Sequence, residues 1–273
     1  MTQGNICLER NGKVAMVTIN RPNRSNAFNG HMFSELEKIT QELKKDLPRG
    51  VIITGEGDTA FSTGFDVNPD NPMVTAIIDS LEKKDRAPAE KAIGRLRKTV
   101  DDFIGLPVPI IAALNGLAYG GGAELAIRCD LRVMDPNAVI CFSEVKLGLM
   151  PDWGGGATLS HLVGASRAAD LILTARKVLA GEALGLGLVN RVSRPGQAFE
   201  EAVKLAETIA QNGPRAVEHA LEVIRQSRNL SLNQTLALEA DKAVSLIVSG
   251  ECFHGVASFL ERKKPEFPDI SET

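Results

Sequence analysis

The chain has 273 residues, 44% of them hydrophobic and 24% charged, with a formal net charge of −3. That length and apolar content provide a sizeable core, in one large domain or a domain with an appendage, and exclude a low-complexity or disordered chain. The weakly acidic balance gives no electrostatic footprint for nucleic acid, and Met1 to Arg10 is too mixed and polar for a secretory signal, so a cytoplasmic protein is expected.

The least charged long window, Val108 to Ala123, is shorter than the ~18 residues that would suggest a membrane span, and Glu124 closes it. No membrane segment is expected. Cys7, Cys129, Cys141 and Cys252 are dispersed without paired spacing. This argues against a zinc site and a disulfide framework, and predicts cysteines that behave as small buried apolar residues.

In chain order, Ile6 to Arg10 and the alternating run Val14 to Asn20 flank Asn11-Gly12, which predicts a hairpin. Arg21-Pro22 ends the second run. Asn29 is placed to cap a helix over His31 to Lys45 with an apolar stripe of Met32, Phe33, Leu36, Ile39 and Leu43. Val51 to Thr54 reads as a strand buried on both faces, followed by a loop of glycine and small polar residues from Gly55 to Gly64. Asp66 to Ala89 carries three prolines and an uneven apolar pattern. It reads as a mobile loop with a short helical piece around Val74 to Leu81, either a lid or a segment without function.

Helical spacing resumes over Ala89 to Ile104 and gives way to a short apolar run, Ile110 to Leu114. Two further β-like runs, Leu131 to Met134 and Ala138 to Phe142, precede helical sequence over Ala157 to Val163 and Ala165 to Leu173. Strands alternating with helices indicate an α/β domain with largely parallel sheets. Beyond residue 196 the pattern turns helical throughout, over Gln197 to Gln211, Pro214 to Arg225, Leu232 to Val248 and Phe253 to Lys263. The expected division is therefore 1–196 as the α/β core and 197–273 as a helical appendage. Its wide apolar faces suggest contact with another subunit.

Motifs for dinucleotide or phosphate binding, for a nucleophilic serine elbow and for a zinc protease are missing. His31, His161, His219 and His254 lie on predicted helices without a partner pattern, which points to surface or packed histidines. Two carboxylates stand out instead. Glu124 follows Gly120-Gly121-Gly122 amid apolar residues, and Glu144 lies between Cys-Phe-Ser and Val-Lys-Leu. Buried carboxylates with divergent pKa values divide acid and base work. The same residues also read as a surface helix glutamate and a turn-capping glutamate. Glycines permit close backbone approach, and a helix starting in the run would point free N–H groups at a developing oxyanion.

The block Asn115-Gly-Leu-Ala-Tyr-Gly-Gly-Gly-Ala-Glu-Leu-Ala-Ile-Arg-Cys-Asp130 resembles the signature of the enoyl-CoA hydratase/isomerase, or crotonase, superfamily. Supporting blocks run from Ile19–Ala27 through Ala60–Asp66, Phe142–Gly155 and Ala183–Asn190 to the terminal Phe259-Leu-Glu-Arg-Lys-Lys. The resemblance implies a crotonase-like spiral of ββα repeats with a C-terminal helical trimerisation region. It implies a trimer or dimer of trimers acting on an acyl-coenzyme A thioester, with no metal or redox cofactor. It further implies an oxyanion hole from the N–H groups of Phe65 and Gly121, with Glu124 and Glu144 holding a water that adds across the C2=C3 bond of a 2-enoyl-CoA.

By the same resemblance, Asp66 and Gly120 lie in the substrate site and Arg24 lies where coenzyme A is contacted. Asp152 and Trp153 replace the small residues frequent in hydratases and place a third carboxylate and an indole at the acyl pocket, where Trp153 lines the pocket or packs. Lys263 reaches towards a neighbouring subunit's coenzyme or belongs to a solvated charge run. Two alternatives stand beside hydration: a Δ3,Δ2-enoyl-CoA isomerase, which often keeps only the carboxylate at the Glu144 position, and a non-catalytic binding module of the same fold, even one that binds RNA.

Overall fold

The computed structural model describes residues 5–69 and 71–270. The first four residues of the Met1 to Arg10 stretch, and Asp70 within the segment 66–89, lie outside the described residues. The chain opens with the expected hairpin. Strand β1 (Asn5–Asn11) pairs antiparallel with β2 (Val14–Asn20), turning at Gly12, whose φ of 59° suits glycine. Helix α1 (Gly30–Lys45) is capped by Asn29, whose Oδ1 accepts the Met32 N–H at 3.0 Å. Its predicted stripe of Met32, Phe33, Leu36, Ile39 and Leu43 is buried.

A ββα step then repeats three times. Strands β3 (Gly50–Gly55) and β4 (Ala60–Ser62) lead to α2 (Pro72–Lys83) and α3 (Ala87–Ile104); β5 (Ile110–Leu114) and β6 (Leu117–Tyr119) lead to α4 (Gly121–Arg128); β7 (Leu131–Met134) and β8 (Val139–Cys141) lead to α5 (Gly155–Val163) and α6 (Ala165–Thr174). In each step the first strand joins one sheet and the second joins another. With β9 (Val178–Leu179), α7 (Ala180–Leu186) and β10 (Arg191–Val192), the result is a six-stranded sheet ordered β1-β2-β3-β5-β7-β10 and a four-stranded sheet ordered β4-β6-β8-β9. All pairings except β1 with β2 and β8 with β9 are parallel. Strands β3 and β5 are buried along their whole length, which explains why both read as apolar runs without alternation.

Asparagines stitch successive turns of this spiral together. Asn26 donates from Nδ2 to the carbonyl oxygens of Glu56 (3.0 Å) and Ala60 (2.7 Å), and Asn115 donates to those of Gly55 (2.9 Å) and Gly57 (2.6 Å). Each amide satisfies the backbone exposed where the chain leaves one sheet for the other. The main core lies between the sheets and helices α1, α3, α4 and α5.

Four helices follow: α8 (Ala198–Ala210), α9 (Pro214–Gln226), α10 (Leu232–Val248) and α11 (Glu251–Leu260). Helix α8 packs Ala202, Leu205, Ala206 and Ala210 against Val14, Ile52, Ile111 and Val133 of the large sheet. The boundary read at residue 197 thus precedes a helix that covers the sheet of the first unit. Helix α9 is pinned to the core through Arg225, which donates to both Asp130 carboxylate oxygens at 2.8 and 2.6 Å, while α10 has no buried residue. Among the described residues, no single helix is long and apolar enough to cross a membrane. Cys129 and Cys141 are buried as expected, whereas Cys7 and Cys252 are only partly covered; all four are free thiols.

Candidate active site

The chain segment after β4 sets the first part of the site. Phe28 donates its N–H to the Gly64 carbonyl at 2.7 Å and accepts from the Asp66 N–H at 2.9 Å. This parallel bridge holds the residues on either side of Phe65 and turns the Phe65 N–H the other way. Among the described residues that N–H has no acceptor.

A second such donor sits close by. Gly120 leaves β6 with φ 51° and ψ −129°, and α4 begins at Gly121. The first N–H groups of a helix have no partner within it, and that of Gly121 has none among the described residues. Only glycine fits here, because a Cβ at Gly121 would lie 2.7 Å from the Trp153 indole. Gly64 backs the same point, since its Cβ position is 2.5 Å from the Gly121 nitrogen. Two unengaged N–H groups therefore come together at the mouth of α4, whose N-terminal dipole favours negative charge.

One turn into α4 stands Glu124, fully buried. Its Oε1 accepts the Asp152 N–H at 3.1 Å and its Oε2 accepts the Gly155 N–H, the start of α5, at 2.7 Å. Gly155 is necessary because a Cβ there would collide with the Glu124 side chain. The turn 152–155 is itself clamped. Arg128, at the end of α4, donates to the Trp153 carbonyl at 2.6 Å and pairs with Asp101 of α3.

Glu144 begins a 3-10 turn, Glu144–Leu147, directly after β8. It is 9% exposed, and neither carboxylate oxygen has a hydrogen-bond partner among the described residues. Glu124, Glu144, Gly120, Gly121 and Phe65 all line one cavity of about 310 Å³. Burial pushes the Glu124 carboxyl up to about 8, against the Gly155 N–H, which favours the ionised form. Burial raises Glu144 as well, and also Asp152. Two facing buried carboxyls do not both ionise near neutrality, so the pair titrates as a unit that shares one proton there.

Other residues singled out in the sequence are placed as follows. Trp153 both lines the cavity and packs edge-on against Phe28 (5.6 Å between centroids) and Phe33 (5.2 Å). Asp66 does not line the cavity: its carboxylate pairs with the Arg21 guanidinium at 2.6 Å and accepts the Asn68 N–H at 3.1 Å. Arg24 is exposed on a 3-10 turn outside the cavity wall. Lys263 lies beyond α11, exposed and paired with Glu261 at 2.9 Å. The four histidines sit on α1, α5, α9 and α11 and line none of this cavity. Sequence reading missed the Asp152 and Gly155 N–H donors and the Arg128 clamp. The run Pro151-Asp-Trp-Gly-Gly-Gly156 was the available signal, since it leads into a helix start able to receive a carboxylate.

A spiral of ββα turns in which the segments after β6 and β8 deliver paired carboxyls beside two unengaged N–H groups defines a site for charge developing on a carbonyl oxygen. The chain matches the enoyl-CoA hydratase/isomerase family over residues 9–270, and it belongs to that family. It is 36% identical to the short-chain-enoyl-CoA hydratase of Clostridium acetobutylicum, over 97% of this chain and 98% of that protein. It is 32% identical to the crotonyl-CoA hydratase of Syntrophomonas wolfei, over 98% and 99%. The solved enoyl-CoA hydratase of Bacillus anthracis superposes with a TM-score of 0.86 at 32% identity, over 96% of this chain and 98% of that one. The fold is the crotonase fold with its C-terminal helices.

Proposed function

We propose that this chain is an enoyl-CoA hydratase that adds water across the C2=C3 bond of a 2-enoyl-CoA. The observation that carries the reading is the convergence of Glu124 and Glu144 on one cavity with the unengaged N–H groups of Phe65 and Gly121. The thioester oxygen accepts from those two N–H groups. As water oxygen bonds to C3, negative charge moves to that oxygen, where the two donors bind it more strongly than in the ground state.

Water lies between the carboxyls, and the shared proton lets one act as base while the other acts as acid. With the pair's one proton on Glu144, Glu124, oriented by two backbone N–H groups, takes the water proton and Glu144, whose oxygens are otherwise unpartnered, delivers its proton to C2, so the pair again holds one proton. Hydration moves no electrons to an acceptor, so the reading needs no redox cofactor, and it assigns polarisation of the thioester oxygen to the Phe65 and Gly121 N–H groups in place of a metal. Isomerisation needs only one shuttling carboxyl, and the second, Glu124, favours hydration over it.

The reading extends to a homotrimer or dimer of trimers in the cytoplasm. Its support is the apolar face of α10 and α11, where Val248, Phe253 and Phe259 are 80%, 74% and 81% exposed. Light scattering tests the assembly, and a monomer would refute that part alone. For the reaction, the purified protein is given a panel of enoyl-CoA thioesters and the products are weighed by mass spectrometry. Gain of one water by 2-enoyl thioesters is expected. Conversion of 3-enoyl thioesters without mass change, and no hydration, would replace this reading with the isomerase.

A further inference from the structure

The cavity extends well past the groups that hydration requires. Part of its wall is an apolar stripe on two helices: Met73 and Ile77 of α2, one helical turn apart, and Ala89, Ala92, Ile93 and Leu96 of α3 at spacings that share one face. The alanines leave room between the larger side chains. Ile77 and Ile93 are each 44% exposed at the rim, an apolar surface with nothing of the described chain over it.

The dimensions decide what this wall is for. At ~30 Å³ for a water-sized group, a cavity of about 310 Å³ holds roughly ten such groups. A butenoyl group, four carbons with its carbonyl oxygen, and the reacting water account for about six of them and leave room for about four more carbons. An apolar pocket with a few convergent polar groups at one end is the form that binds a long apolar ligand with a reactive head.

Resting on the hydratase reading above, we infer that this chain prefers linear 2-enoyl-CoA substrates longer than butenoyl, in the hexenoyl to octenoyl range, with the acyl tail laid along Met73, Ile77, Ala92 and Ile93. The preference differs from that in the names of the relatives reported above. Each methylene taken from water onto this stripe strengthens transition-state binding as much as ground-state binding, so the effect is read in kcat/KM. Because the rim is open, the gain levels off instead of ending in a sharp size limit.

The test is a steady-state series on butenoyl, hexenoyl, octenoyl and decenoyl thioesters with the full chain. Expected is a rise in kcat/KM of about four-fold per added methylene from butenoyl to octenoyl, then a plateau. Ala92→Phe, which puts a ring where α3 lines the cavity, is expected to cut the octenoyl-to-butenoyl ratio of kcat/KM by about ten-fold or more. A wild-type series that is fastest on butenoyl and declines with each extension overturns the inference and leaves the hydratase reading intact. So does a folded Ala92→Phe protein that loses every substrate equally. Hydration of none of the four overturns the hydratase reading itself. If the variant does not fold, the wild-type series decides alone.

Discussion

The two ends of the cavity are built on different principles. At the α4 end, every position is over-determined: Glu124 holds two backbone N–H groups, Gly121 touches the Trp153 indole, and Arg128 ties the turn 152–155 to Asp101 of α3. At the α2 and α3 end, the wall is apolar side chains that carry no hydrogen-bonding group, and part of it is open to solvent. The contrast follows from what each end must do. Proton transfer and charge stabilisation require tightly held geometry, whereas an alkyl chain rewards covered area and tolerates shape. The first end therefore breaks on single substitutions, while the second shifts preference by degrees.

The largest effect is expected at the over-determined end. Glu144→Gln removes the acid without changing shape, and kcat for hydration should fall by about 10²–10⁴ with little change in KM. Near wild-type turnover would remove Glu144 from the chemistry. Next in size is Asp66→Ala, which breaks the buried Arg21–Asp66 ion pair and should cost about 3 kcal/mol of stability, read from urea unfolding. If Asp66 instead touched substrate, KM would rise with stability unchanged. Gly121→Ala forces a methyl into Trp153 and should cost about 1–3 kcal/mol by the same assay. Arg128→Met lies outside the cavity wall, yet it frees the turn that aims the Glu124 donors. A loss on the order of ten-fold in kcat is expected, partly restored in Arg128→Lys.

The same contrast explains what the sequence discloses. The α4 end is written in a local pattern, since a glycine run followed by a carboxylate in apolar company is unusual enough to notice, and Glu144 follows a recognisable strand. The wall at the other end is not. Three prolines between Asp66 and Ala89 suggested a loop, but Pro72 and Pro88 fall in the first turns of α2 and α3, where proline costs no hydrogen bond. Asn71 caps the first of these helices. The helical piece read over Val74 to Leu81 is therefore the middle of Pro72–Lys83. Strands β4, β6, β9 and β10 escaped notice because two or three residues are too few to show alternation. The resemblance implied a spiral of ββα turns, but the division of its strands between two sheets was not read, because pairing partners leave no trace in local periodicity.

The last effect concerns proton linkage at the carboxyl pair, and it separates the two ends most cleanly. Burial raises Glu124 from 4.5 to about 8, so between those limits the folded chain keeps a proton that the unfolded chain releases. Where the native state binds more protons, stability falls as pH rises. The contribution is complete below the unfolded value and is lost as pH climbs through the folded one. Urea midpoints measured across this range should decline with a component that Glu124→Gln abolishes, since the amide cannot titrate. Ala92→Phe, at the apolar end, should leave that slope in place. A slope that survives Glu124→Gln would mean that the shared proton sits elsewhere, with Asp152, itself raised by burial, as the next group to replace.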